Sequence, residues 1–328
     1  MHTKLGFTAA VVTLAALCTA SWNGVKAAAN SEKILQFPCS YSVGWILDVV
    51  KDPGLETNIH GVRLKKAQGT VKIPRGKHLK FEPEGPFFEH PECLLKLPPD
   101  AFDYIDLRFI SMADNEENIS DRAIPYVLHL KGLKTVSLDK SDTTDAAAAK
   151  LAALPNLEGL SCSASMVTGK CFEQLKQCKS IRFLRVGCGQ VDEQSLKYLS
   201  QFPKLQRLTI TRAGLTKAGL EQACKCSGLL NLTISQNSEI DDSCMPMLMR
   251  LKNLTDLDIS GTKISTASLE KFAYLKTLNL CPPRPLATYS AKERAQLKKL
   301  FPYSKFDMDA KIEKKMKRDV KDFLYSKH

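Results

Sequence analysis

The sequence predicts an α/β solenoid with parallel strands on its concave face, helices on its convex face and a cap at each end. Three observations predict it. An L-x-x-L-x-L pattern returns with a nearly fixed period from Phe102 to about Pro282. A second apolar series lies later in each period at helical spacing, as in Phe172, Leu175 and Cys178 or Leu196, Leu199 and Phe202. One such unit cannot bury both of its apolar faces alone, so neighbouring units must stack.

In chain order, residues 1–29 read as a signal peptide. Lys4 precedes an apolar run from Leu5 to Leu17, too short to span a bilayer comfortably. Small residues follow, and cleavage is expected after Ala20 or within Ala27-Ala28-Ala29. Cys18 is not read as a lipoprotein cysteine, because the large Leu17 precedes it. The expected location is therefore secreted, periplasmic or cell-surface. No later stretch is long and apolar enough for a membrane anchor. Export permits disulfides, and Cys39 and Cys93, which flank the N-terminal segment, are candidates for a bridge. Cys162, Cys178 and Cys226 fall at apolar repeat positions and are expected to be small buried hydrophobes.

Residues 30–100 do not repeat and read as a β-containing N-terminal cap that covers the open end of the solenoid. Gly69–Pro74 and His78–Pro83 alternate apolar and polar residues around Arg75-Gly76-Lys77, a pattern that predicts a small hairpin. The run Val43–Val50 is apolar enough for a buried strand or a short helix, which periodicity alone cannot separate.

Residues 101–283 hold about eight units, opening at Phe102, Leu133, Leu157, Ile181, Leu205, Leu229, Leu254 and Leu275. Successive openings lie 31, 24, 24, 24, 24, 25 and 21 residues apart. In an extended segment the fourth and sixth positions share a face, so pairs such as Leu184/Val186 and Leu208/Ile210 are predicted to point inward. The third and fifth positions project from the concave face. The third reads Tyr104, Thr135, Gly159, Phe183, Arg207, Asn231, Asp256 and Thr277; the fifth reads Asp106, Ser137, Ser161, Arg185, Thr209, Thr233, Asp258 and Asn279. Parallel strands stack at ~4.8 Å whereas packed helices need about 8–10 Å, so the helical side splays and the array curves.

The long first unit contains Asp114–Asn118 (DNEEN), read as a solvated acidic loop because it lacks calcium-loop ligand spacing. Residues 284–328 read as a C-terminal half-repeat and a basic capping helix. Ser290 and Glu293 suggest a capping box for a helix through Leu300, and a last helix is expected from Asp309. This tail holds 13 Lys and Arg against 6 Asp and Glu, so +7 of the formal +12 sits there.

No catalytic constellation stands out, so the chain reads as non-enzymatic and without a cofactor. The six histidines are scattered, and His90 and Cys93 lack the further ligands that a zinc site needs. No phosphate-cradling glycine loop or Gly-x-Ser-x-Gly elbow is present. Binding is the remaining use of a curved sheet. The middle of the concave face gathers Arg182, Phe183, Arg185, Arg207 and Arg212, residue types enriched in binding hot spots, and these are the candidate partner-binding residues.

The unit KLQRLTITRAGLTKAGLEQACK, with Ser141, Ser165, Asn237 and Thr262 at the ninth position, resembles the leucine-rich repeat family, and secreted bacterial-type members in particular. Gly189 and Ala213 depart from that ninth position. The resemblance implies a right-handed horseshoe and protein recognition. The expected function is thus an exported protein-interaction module with a protein partner and no nucleic acid. The alternative is an envelope-associated structural protein that binds anionic lipid or a polyanion through its basic C-terminal helix.

Overall fold

The structure, a computed structural model, describes residues 32–49, 59–108 and 118–304. The predicted signal peptide, the acidic stretch 114–117 and the basic helix from Asp309 lie outside the described residues.

Eight short strands form at the leucine-patterned segments. They are β6 (Tyr104–Asp106), β7 (Thr135–Ser137), β8 (Gly159–Ser163), β9 (Phe183–Gly187), β10 (Arg207–Thr211), β11 (Asn231–Thr233), β12 (Asp256–Asp258) and β13 (Asn279–Cys281). Each pairs in parallel with the next, in sequence order. Leucine at the fourth position is fully buried in unit after unit, as at Leu160, Leu184, Leu208 and Leu232. Each such burial is worth roughly 1.5–3 kcal/mol.

The last unit starts two residues later than its leucines suggest. Counting from Leu275 would put Thr277 and Asn279 in the third and fifth positions. The register instead sets Asn279 opposite Asp256 and Cys281 opposite Asp258. Leu275, Leu278 and Leu280 are all buried, so burial cannot fix the frame there. The Asn279 N–H donating to the Thr255 carbonyl at 2.8 Å, one bond of the inter-strand ladder, can.

On the convex side each period leaves room for only one to three helical turns. Helices α2 (Ile119–Val127), α3 (Asp145–Lys150), α4 (Phe172–Leu175), α5 (Lys217–Ala223) and α6 (Met245–Leu248) alternate with 3-10 helices at Glu193–Gln201 and Thr266–Phe272. Several start on a cap at the twelfth position, including Thr144, Asp192, Thr216 and Ser265, whose side chain accepts a backbone N–H. Acidic residues then tie one unit to the next. Asp121 accepts from Thr144, Asp145 from Thr168, Glu193 from Thr216 and Asp242 from Ser265.

At Asp242 burial opposes the charge, yet hydrogen bonds from Ser265 and Ser268 outweigh it and hold the carboxyl below its usual range. Hydrogen bonds from Ser243 do the same for Asp241, and the backbone N–H of Ser290 does so for Glu293. A carboxylate depressed in the folded state stabilises it above the unfolded pKa, and that stabilisation is lost as pH falls through the folded value. The thermal midpoint should therefore fall on acidification below about pH 4. Asp242→Asn should lower the midpoint at neutral pH and flatten this acid limb; an unchanged acid limb would remove Asp242 from the account.

The cap continues the same sheet. β5 (Leu79–Pro83) pairs in parallel with β6, β2 (Gly44–Asp48) pairs antiparallel with β5, and β3 (Val62–Lys66) forms the outer edge. Val43–Val50 thus supplies a strand. The expected hairpin does not form: β4 (Thr70–Pro74) pairs with β1 (Glu32–Gln36) in a separate two-stranded sheet, while β5 pairs with β2 and β6. Alternation shows which side chains share a face of a strand but says nothing about its partner. Phe81 stacks on Phe102 with ring centroids 5.2 Å apart and meets Phe87 edge-on at 5.5 Å. That cluster joins the cap to the first unit, and one hydrophobic core runs from Leu35 to Phe301. Helix α1 (Gly85–Glu89) covers it at this end. At the other end α7 (Ala291–Leu300) carries the Ser290–Glu293 capping box and ends before Pro302.

Two features mark the exits of the strands. The ninth-position side chain turns back onto the sixth-position carbonyl: Ser141 to Leu138 (2.7 Å), Ser165 to Cys162 (2.9 Å) and Thr262 to Ile259 (2.7 Å). Asn237 reaches Ile234 at 3.0 Å and also serves the unit before it, where Ala213 has no such group. It donates to the Ile210 carbonyl at 2.8 Å and accepts from the N–H groups of Ala213 and Leu215 at 3.0 and 3.1 Å. The eighth position is left-handed in six successive units. Its φ values are 56° at Lys140, 55° at Ala164, 57° at Cys188, 48° at Arg212, 59° at Gln236 and 71° at Gly261.

Candidate partner-binding site

Small residues at the second rung of the concave face, Thr135 and Ser137, leave a depression in it beside the larger rung of Tyr104 and Asp106, and Arg185 of the fourth rung stands on its far side. The resulting cavity measures about 620 Å³ and reaches from the cap to the fourth unit. That volume lies in the range of sites that hold small ligands or protruding side chains.

The cap contributes one wall. Lys80, buried on β5, donates to the Ile59 carbonyl at 2.9 Å and to Glu82 at 2.8 Å, and lies 3.4 Å from Asp106. Arg108 approaches the same Asp106 oxygen at 3.6 Å with its side chain half exposed. The other Asp106 oxygen, Oδ1, is buried and has no hydrogen bond among the described residues.

The far wall centres on Asp139, which is buried at the end of β7. Its Oδ1 accepts from the Ser161 hydroxyl at 2.7 Å and from the Ser163 N–H at 2.6 Å, while Arg185 stands 4.0 Å from Oδ2. Lys140, exposed at the left-handed eighth position, lies at the cavity mouth together with Ala164 and Cys188. Each acid of the lining therefore faces a cation, whereas Lys140 has no ion pair among the described residues.

Of the five sequence-derived candidates one, Arg185, lines the cavity. Phe183 is buried, and its ring lies flush against Gly159: a Cβ placed on that glycine would sit 1.8 Å from a ring carbon. Arg182, at the start of β9, hydrogen bonds to Gln206 at 3.2 Å and lies 3.7 Å from Glu158, outside the cavity. Arg207 stands opposite Phe183 on β10 and is partly buried. Arg212 is exposed beyond the end of β10. Sequence reasoning missed Lys80, Asp106, Asp139 and Lys140 as site residues. The signal that could have found the cavity was the run of small residues in both concave columns.

Farther along the concave face, Asp256 is held by its neighbours. Asp256 accepts from Asn231 at 2.6 Å, from Asn279 at 2.9 Å and from Thr255 at 2.8 Å. The ten described cysteines, Cys39 and Cys93 among them, are all free thiols, so the candidate bridge is not formed. Burial pushes Cys93, Cys224 and Cys226 up to about 12 and Cys162 and Cys171 well above the ordinary thiol value. Such thiols carry a negligible thiolate fraction at neutral pH and are poor nucleophiles.

The chain has a leucine-rich repeat fold, established by its own ladder of parallel strands with helices behind them. No protein-family model matches it, and no curated protein does. Solved structures similar to it include an internalin from Listeria monocytogenes, at 16% identity and TM-score 0.34, covering 60% of this chain and 64% of that one. The TLR13–ssRNA13 complex matches at 21% identity and TM-score 0.38, over 51% of this chain and 24% of that one. Human 5T4, the Wnt-activated inhibitory factor 1, matches at 15% identity and TM-score 0.39, over 56% and 69%. The chain thus spans under two thirds of the internalin and about a quarter of the TLR13 chain, and at these identities the likeness is one of fold. Among the described residues no helix is long and apolar enough to cross a membrane.

Proposed function

We propose that this chain is a non-enzymatic recognition module that acts after export and binds a protein partner through the cap-proximal half of its concave face. The observation that carries this reading is the cavity between Lys80 and Arg185, whose polar walls are fixed by buried hydrogen bonds and whose mouth carries exposed cations. A preformed polar recess in a curved sheet suits recognition, because its side chains need little ordering when a partner arrives. Export is proposed on the apolar run behind Lys4 and the small residues that follow it. Of the five sequence-derived residues, Arg185 belongs to the far wall of this recess, and Arg212, one unit beyond its last lining residue, stays outside it.

The test is capture of a partner by the mature protein from its native extract, compared across variants. The double variant Lys140→Glu with Arg185→Gln should lose capture by about tenfold or more, the scale of removing a charged hot spot. A convex-face control, Lys197→Glu, should capture normally. Undiminished capture by the folded double variant would move the site elsewhere.

A further inference from the structure

We infer that the cavity receives an acidic residue within an extended peptide, its carboxylate drawn to Lys140, Arg108 and Arg185 and one of its backbone N–H groups donating to Asp106. The inference rests on the concave-face reading and specifies what enters that face.

Three observations carry it. First, the lining carries one more cation than acid: Lys80, Arg108, Lys140 and Arg185 stand against Glu82, Asp106 and Asp139. Each acid faces a cation, while Lys140 and half of Arg108 stay in solvent. Second, the same lining holds the hydroxyls of Thr135 and Ser137, groups that can donate to a carboxylate or a peptide carbonyl. Third, Asp106 Oδ1 is a buried acceptor without a hydrogen bond among the described residues, at the cap end of the same cavity. A buried carboxylate oxygen left in that state is unfavourable, and a small turn of the Asp106 carboxylate that keeps Oδ2 beside Lys80 would bring it to a ligand donor. A carboxylate and an N–H donor held a few ångströms apart on one short ligand describe an aspartate or glutamate residue in a peptide. A simple fatty acid lacks the donor, and a basic peptide would meet the cations of the mouth.

Titration calorimetry at low salt with the mature full chain tests this, using acetyl-Gly-Glu-Gly-amide as the probe. Binding should be measurable for this peptide and about tenfold or more weaker for its Gln counterpart, since a charge-assisted hydrogen bond is lost. Butyrate, a carboxylate without the amide, should also bind more weakly than the Glu peptide. Lys140→Gly, which suits the left-handed backbone, and Arg108→Gln should each weaken the Glu peptide without lowering the thermal midpoint. Equal binding of the Glu and Gln peptides, or butyrate binding as tightly as the Glu peptide, overturns the inference. Tighter binding of D-glucuronate than of the Glu peptide overturns it as well, in favour of an acidic sugar. If the Glu peptide binds but partner capture ignores Lys140 and Arg185, the concave-face reading fails while the pocket chemistry stands. Capture that depends on both residues, without peptide binding, has the opposite meaning.

Discussion

Replacing Asn237 with alanine should destabilise the protein by about 4 kcal/mol, well beyond the cost of any other ninth-position substitution. The side chain is buried and satisfies two backbone N–H groups, those of Ala213 and Leu215, while donating to the carbonyls of Ile210 and Ile234. Both stranded amides belong to buried residues, and each buried donor left unsatisfied costs about 1–3 kcal/mol. Ser165→Ala removes a single hydroxyl that bonds within its own unit and should cost about 1 kcal/mol. Urea denaturation of the two variants side by side makes the comparison. Equal costs would mean that water replaces the amide and that Asn237 does not join units five and six.

The second large effect is expected at Gly187. It ends β9 opposite Thr211, and a Cβ there would lie 2.2 Å from the Thr211 carbonyl oxygen and 2.9 Å from its nitrogen. The obstruction is backbone, so no side-chain rotation relieves it, and φ of 155° is itself unfavourable for an L side chain. Gly187→Ala should therefore force β9 and β10 apart at that end and cost about 3–5 kcal/mol, in the exceptional range for one substitution. Because each unit contacts only its neighbours, the damage should divide the array. Unfolding followed by two probes, Trp45 fluorescence in the cap and far-ultraviolet dichroism, should lose coincidence. Retained coincidence at parental stability would show that the strands yield at little cost.

The sequence announces its scaffold through leucines because burial at the first, fourth and sixth positions is a one-dimensional constraint. Any residue that breaks it exposes or cavitates the core. The same logic fails where the pattern is ambiguous. Leu275, Leu278 and Leu280 satisfy burial in more than one frame, and only hydrogen bonding to Thr255 selects the actual one. It also fails for pairing, as with β4 and β5, whose alternating faces are compatible with several partners. The candidate site was partly legible. Thr135 and Ser137 stand in a run of small residues in the concave columns, a weaker signal than the arginines beside it. The period sets Phe183 beside Gly159 but does not say that its ring folds over the glycine, and Lys80, which meets Asp106, comes from the cap outside the repeat.

The left-handed eighth position has a consequence for the whole array. A non-glycine residue in that conformation costs roughly 1–2 kcal/mol, and five of the six positions are not glycine. The molecule thus gives up folding free energy along one margin of its sheet. In return it displays there a comb of side chains, Lys140, Ala164, Cys188, Arg212 and Gln236, one per unit and about 4.8 Å apart. Glycine at every tooth would make a sturdier but featureless edge. Three of the teeth border the cavity, so the identity of the recess and the margin of stability are set by the same few backbone angles.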